Sequence, residues 1–118
     1  MTDKELLELA AKACNYKVMD EPPHVSKRIG IYCWINKTRK FWNPLTDDGD
    51  ALRLAVKLKI DIHFEWNGDA LGDIVEAFTP ERDDGSRGCF DHSTESDPYA
   101  ATRRAIVRAA AEIGRVSQ

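Results

Sequence analysis

The stretch Ile60-Asp61-Ile62-His63-Phe64-Glu65-Trp66 alternates apolar and polar residues without a break, and Asn67-Gly68 follows at once. Successive side chains of a strand point to opposite faces, so the alternation describes a strand with one face buried and one solvated. Asn and Gly both tolerate the positive φ that tight hairpin turns demand. Residues 72–78, GDIVEAF, then read as the return strand. Such a hairpin is marginal by itself. Ile60, Ile62, Phe64 and Trp66 need a cover, while Asp61, His63 and Glu65 face the other way.

Three helices are expected to supply that cover. Thr2-Asp3-Lys4-Glu5 is a capping box, and Leu6, Leu9, Ala10, Ala13 and Cys14 follow at helical spacing, which predicts a helix over residues 3–14. A second helix is predicted over 47–58, with Thr46, Asp47 or Asp48 as its cap. Its apolar face is Ala51, Leu54, Ala55 and Leu58, widened by Leu52 and Val56. Asp97-Pro98 opens the third, a capping residue followed by proline at the first helical position. Tyr99, Ile106, Ala110 and Ile113 form its apolar stripe, Arg104, Arg108 and Arg115 fall on the opposite, solvent side, and Arg103 lies beside the stripe.

The segment 20–24, DEPPH, breaks the chain after the first helix. Residues 29–35, IGIYCWI, are a strand by their β-branched and aromatic content. Residues 36–40, NKTRK, are a polar connection kept at the surface by Lys37, Arg39 and Lys40, after which Phe41 and Trp42 form a short return strand that Pro44 stops. Residues 79–97 read as a long polar loop. The order α-β-(β)-α-β-β-α defines an α+β chain, a three-layer α-β-α sandwich with a short, mainly antiparallel sheet flanked by helices. At 118 residues it is one domain, 1–118.

The net charge of −3 is unevenly placed: residues 1–46 carry +3, residues 47–97 carry −9 and residues 98–118 carry +3. With a pI near 5.6, duplex nucleic acid is not the expected partner. No apolar run approaches the length of a membrane span. The first twenty residues hold Asp3, Glu5 and Glu8 and lack the apolar core of a signal peptide, so a cytoplasmic location is expected. Three widely spaced cysteines, Cys14, Cys33 and Cys89, are expected as free thiols.

The segments WNPLTDDGDALRLAVKL and DPYAATRRAIVRAAAEIG resemble small phage and prophage proteins with the phage ABA sandwich domain. The likeness rests on a Trp-x-Pro segment feeding a helix and on the arginine- and alanine-rich C-terminal helix, and it covers about residues 5–115. It implies an α-β-α fold and a phage-encoded protein inside a bacterial host cell. It implies no particular activity, and no functional residue is carried over.

Each chemistry-bearing group also has a plain structural role open to it. Asp47, Asp48 and Asp50 lack the ligand register of a calcium loop, so capping explains them better. Cys89-Phe90-Asp91-His92 has zinc-like spacing but no partner pair nearby in sequence, and an acidic loop does not activate a thiol nucleophile. His63, between Asp61 and Glu65, suits a proton shuttle if its face lines a cleft, and otherwise is simply solvated. Residues 36–43, NKTRKFWN, combine three cations with two aromatics, a mixture able to hold a nucleotide or a single strand, or else a turn followed by core aromatics. Arg103 is expected to meet the Asp47–Asp50 helix start. There it either makes an internal salt bridge under Trp42 or clamps an anionic ligand beside it.

The ligand-binding residues expected from these arguments are Trp42, Asn43, Asp47, Asp48 and Arg103, with no catalytic residue, metal or cofactor. The expected function is non-catalytic binding of a host protein or a small anionic ligand, in host takeover or counter-defence; a homo-oligomer is left open. The alternative is a nucleotide-binding or nucleotide-hydrolysing enzyme that uses the acidic segment and Arg103.

Overall fold

A computed structural model describes residues 1–19, 30–65, 73–93 and 97–116. Along the chain run α1 (Asp3–Ala13), β1 (Lys17–Met19), β2 (Ile31–Ile35), β3 (Thr38–Trp42), α2 (Asp48–Leu58), β4 (Asp61–Glu65), β5 (Ile74–Phe78), β6 (Cys89–Ser93) and α3 (Pro98–Val116). The fold is α+β and every described strand pairing is antiparallel. The strands make two separate three-stranded sheets, β1-β2-β3 and β4-β5-β6, where one short sheet was expected.

The helix starts follow the sequence. Thr2 and Glu5 close the capping box of α1. Asp47 caps α2 by accepting from the Asp50 N–H at 2.8 Å. Asp97 accepts from the N–H groups of Tyr99 and Ala100, each at 3.1 Å. The predicted pairing of β4 with β5 is present, Ile62 opposite Ala77 and His63 opposite Glu76. The DEPPH break, Trp66 and the Asn67-Gly68 turn lie outside the described residues.

Several expectations are corrected. The NKTRK segment is a hairpin rather than a connection. Asn36 and Lys37 both have positive φ, 50° and 64°, which is the signature of a two-residue primed turn. That turn lets β3 begin at Thr38, three residues before Phe41. Residues 79–97 are not one long loop, because Cys89–Ser93 adds as β6 alongside β5. The segment is polar because one face of β6 is solvated, which hid its period from a search for apolar runs. β1 was not anticipated; it is three residues long and pairs only with β2 among the described strands.

α3 is the centre of the packing and meets α1, α2, β5 and β6. Ala101, Ala105, Ile106, Val107, Ala109, Ala110, Ala111 and Gly114 are all buried along it. Small side chains let neighbours approach from several sides, so α3 buries far more than one stripe. Two of its arginines are consequently half-buried instead of lying in open solvent: Arg104 meets Asp3 at 2.8 Å and Arg108 donates to the Asp91 carbonyl at 2.9 Å. Arg115 is exposed as expected, paired with Glu112 on its own helix at 2.6 Å. On α2 the core-facing stripe is narrower than expected, for Leu52 and Val56 are 62% and 68% exposed.

Candidate functional site

The site grows out of the turn between β3 and α2. Asn43 is buried, and its side-chain oxygen accepts from the Leu45 N–H at 3.0 Å. Its own N–H donates to Asp50 at 3.1 Å, and its carbonyl accepts from the N–H groups of Thr46 and Asp47. Pro44, also buried, fixes the chain between these bonds. The turn therefore delivers Asp47 as the helix cap and leaves Asp48 at the surface. The acidic run is occupied by local hydrogen bonding, and Arg53 donates to Asp50 at 2.9 Å.

Arg103 arrives from α3. Its Nε donates to the Leu45 carbonyl at 2.8 Å and its Nη1 to Asp48 at 2.6 Å. The sequence placed this arginine against the Asp47–Asp50 helix start, and the geometry is the internal bridge between two helices. Trp42 does not stack on it. The indole is buried, and its ring stands edge-on to Tyr16 at 5.7 Å. Of the five residues named from sequence, Asp48 and Arg103 come together at a groove; Trp42 and Asn43 are buried and do not line it, and Asp47 serves as the cap.

That groove has a volume of about 370 Å³ and is walled by α2, β4 and the first turns of α3. Leu52, Ile62, Phe64, Tyr99 and Ile106 make it apolar, and Asp48 and Arg103 are the charged residues in its lining. Phe64 and Tyr99 are 63% and 71% exposed. Both had been placed in buried stripes by their periodicity. Each occupies the correct face of its element, but that face looks into the groove instead of the core. Apolar clefts of this size with a few polar groups are the usual form of a ligand site.

The other candidates fall elsewhere. Cys89 and His92 are three apart on a strand and so point to opposite faces, which takes them out of any shared site. Cys89 donates to Glu76 at 3.5 Å; burial and then that hydrogen bond push its thiol up, the reverse of an activated nucleophile. Burial pushes Cys14 and Cys33 up to about 11. His63 is exposed on the solvated face of the hairpin, across from Glu76. In the NKTRKFWN segment Arg39 stands over the Tyr32 ring, and Tyr32 and Phe41 pack edge to face at 5.4 Å. Trp34, not among the expected site residues, is half exposed between its strand partners Lys17 and Arg39. Its alternation with buried Cys33 was the available signal.

No protein-family model, curated protein or solved structure matches this chain.

Proposed function

We propose that this is a non-catalytic binding protein whose groove between α2, β4 and α3 takes an apolar segment of a partner protein. The observation that carries the reading is the pair of exposed aromatic rings, Phe64 and Tyr99, at the rim of an apolar cleft. Exposed aromatics around a concave apolar surface are the common anchors of protein recognition. The Asp48–Arg103 pair beside them offers a donor and an acceptor to orient what enters. Two of the Arg103 nitrogens are already engaged, so the groove favours an apolar guest over a phosphate.

The resemblance to phage ABA sandwich proteins supplies the proposed setting: a phage-encoded protein in the cytoplasm of a bacterial host, binding a host protein in takeover or counter-defence. The three-layer α-β-α stacking of the helices and sheets belongs to the same proposal. No helix among the described residues is long and apolar enough to cross a membrane.

Affinity capture from bacterial lysate with the wild type beside Phe64→Ser and Tyr99→Ser tests it. Both positions are exposed, so neither change is expected to unfold the protein. The expected result is a protein captured by the wild type and lost with both variants. Equal capture by all three would reject the groove. A melting point raised by nucleotides with Mg²⁺ would favour the enzyme alternative.

A further inference from the structure

The β4–β5–β6 sheet has a second face, turned away from the groove. Alternation places Ile62 and Phe64 on the groove side and His63 and Glu65 on the other, where the register sets Glu76 directly opposite His63. One ligand atom from each of His63, Glu65 and Glu76 lies within 4.8 Å of the other two. We propose that these three side chains form a site for a divalent transition metal of the zinc type.

The donor set selects the metal. Imidazole and carboxylate are both zinc-ligand types, and three protein ligands leave a fourth tetrahedral position for water. Calcium takes six to eight oxygens, more than this cluster offers, and imidazole suits zinc and its neighbours. Donors around tetrahedral zinc stand about 3.3–3.6 Å apart, given bonds of about 2.0–2.2 Å. The 4.8 Å limit on the separations here exceeds that by little more than an ångström, a gap that small rotations of exposed His63 and Glu65 and half-buried Glu76 close.

The surroundings point the same way. Asp91 faces Glu76 from β6, so three carboxylates crowd one sheet face, and like charges directly opposite each other destabilise a sheet. Among the described residues no lysine or arginine forms an ion pair with Glu65, Glu76 or Asp91. The cations nearest in topology are committed elsewhere: Arg87 to Asp61 and the Thr79 carbonyl, Arg108 to the Asp91 carbonyl. A bound dication neutralises the face that these leave unpaired. Cys89 donates its S–H to Glu76 and so orients that carboxylate from the β6 side. The ligands sit on two paired strands, a more rigid support than a loop.

Zinc chloride titrated into the intact protein against a chromophoric chelator is expected to show one equivalent bound per chain. His63→Ala and Glu76→Gln should each weaken binding tenfold or more, while His92→Ala, on the groove side of the sheet, leaves it unchanged. In the wild type, zinc should shift the imidazole resonances of His63 and spare those of His92, a readout that does not depend on any variant folding. No zinc uptake by the wild type, an unshifted His63, or undiminished binding by His63→Ala would each overturn the site. None of these outcomes touches the groove, which is built from the opposite face.

Discussion

Gly114 shows how much one atom can decide. A β-carbon built there would lie 1.9 Å from the backbone oxygen of Leu9. The two helices touch backbone to backbone at that point, and α1 cannot move aside without disturbing Leu7, Ala10 and Ala11, all buried. In an isolated helix Gly→Ala is favourable by about 1 kcal/mol. Here Gly114→Ala should instead destabilise by about 1–3 kcal/mol or more, because a packed backbone contact must open. Urea unfolding measures it, and a stabilised variant would mean the helices do not meet there. Nothing in the local sequence flags this glycine, which stands near the end of a helix where a cap would be the ordinary explanation.

Elements meet through two kinds of device. One is the Asn36-Lys37 turn, which joins β2 to β3 with both residues in the left-handed region. Asparagine bears that conformation well; lysine pays for it through its β-carbon. Lys37→Gly is therefore expected to stabilise by about 0.5–1 kcal/mol, read as a higher urea midpoint with the same slope. The other device is Arg103, which ties α3 to the start of α2. Its side chain is 17% exposed, whereas Asp48 is 73% exposed. An ion pair open to water on one side is worth about 0.2–1 kcal/mol, so Asp48→Ala should cost no more than that. Arg103→Ala should cost about 1–3 kcal/mol, since it also strips the Leu45 carbonyl of its partner. Equal losses in the two variants would show that the carboxylate, and not the carbonyl, holds the helices together.

At the scale of the molecule, Cys14 and Cys33 belong to one buried core, with Leu7, Ile31 and Trp42. Burial raises both thiols to about 11 from an ordinary 9.0. The folded state thus holds protons that the unfolded chain releases first. The stability they contribute is complete below about pH 9 and is lost as the pH climbs toward 11. The urea midpoint of the wild type should fall across that window more steeply than that of a Cys14→Ala, Cys33→Ala double variant. Thiol titration of the folded protein near pH 8 should find Cys89 reacting first, as the exposed cysteine, with the other two reacting on unfolding. A flat difference between the two pH curves would place the thiols in contact with water.

What the sequence determined by itself was local. The capping box at Thr2, the cap at Asp97 and the β4–β5 pairing follow from bonds and periodicities within a few residues and stand as read, and of the three cap candidates Thr46, Asp47 and Asp48 the structure uses Asp47. The approach of Arg103 to the acidic start of α2 was also legible, because a charge near an apolar stripe requires a partner wherever the chain leads. Periodicity says which side chains share a face but not what lies against it. Phe64, Tyr99 and Leu52 thus looked like core and line a groove, and Trp42 looked like groove and is core. The division of the strands into two sheets, the addition of β6 and the meeting of His63, Glu65 and Glu76 were settled only by the tertiary structure. Each depends on register between segments distant in sequence, and register is fixed by which faces the helices bury.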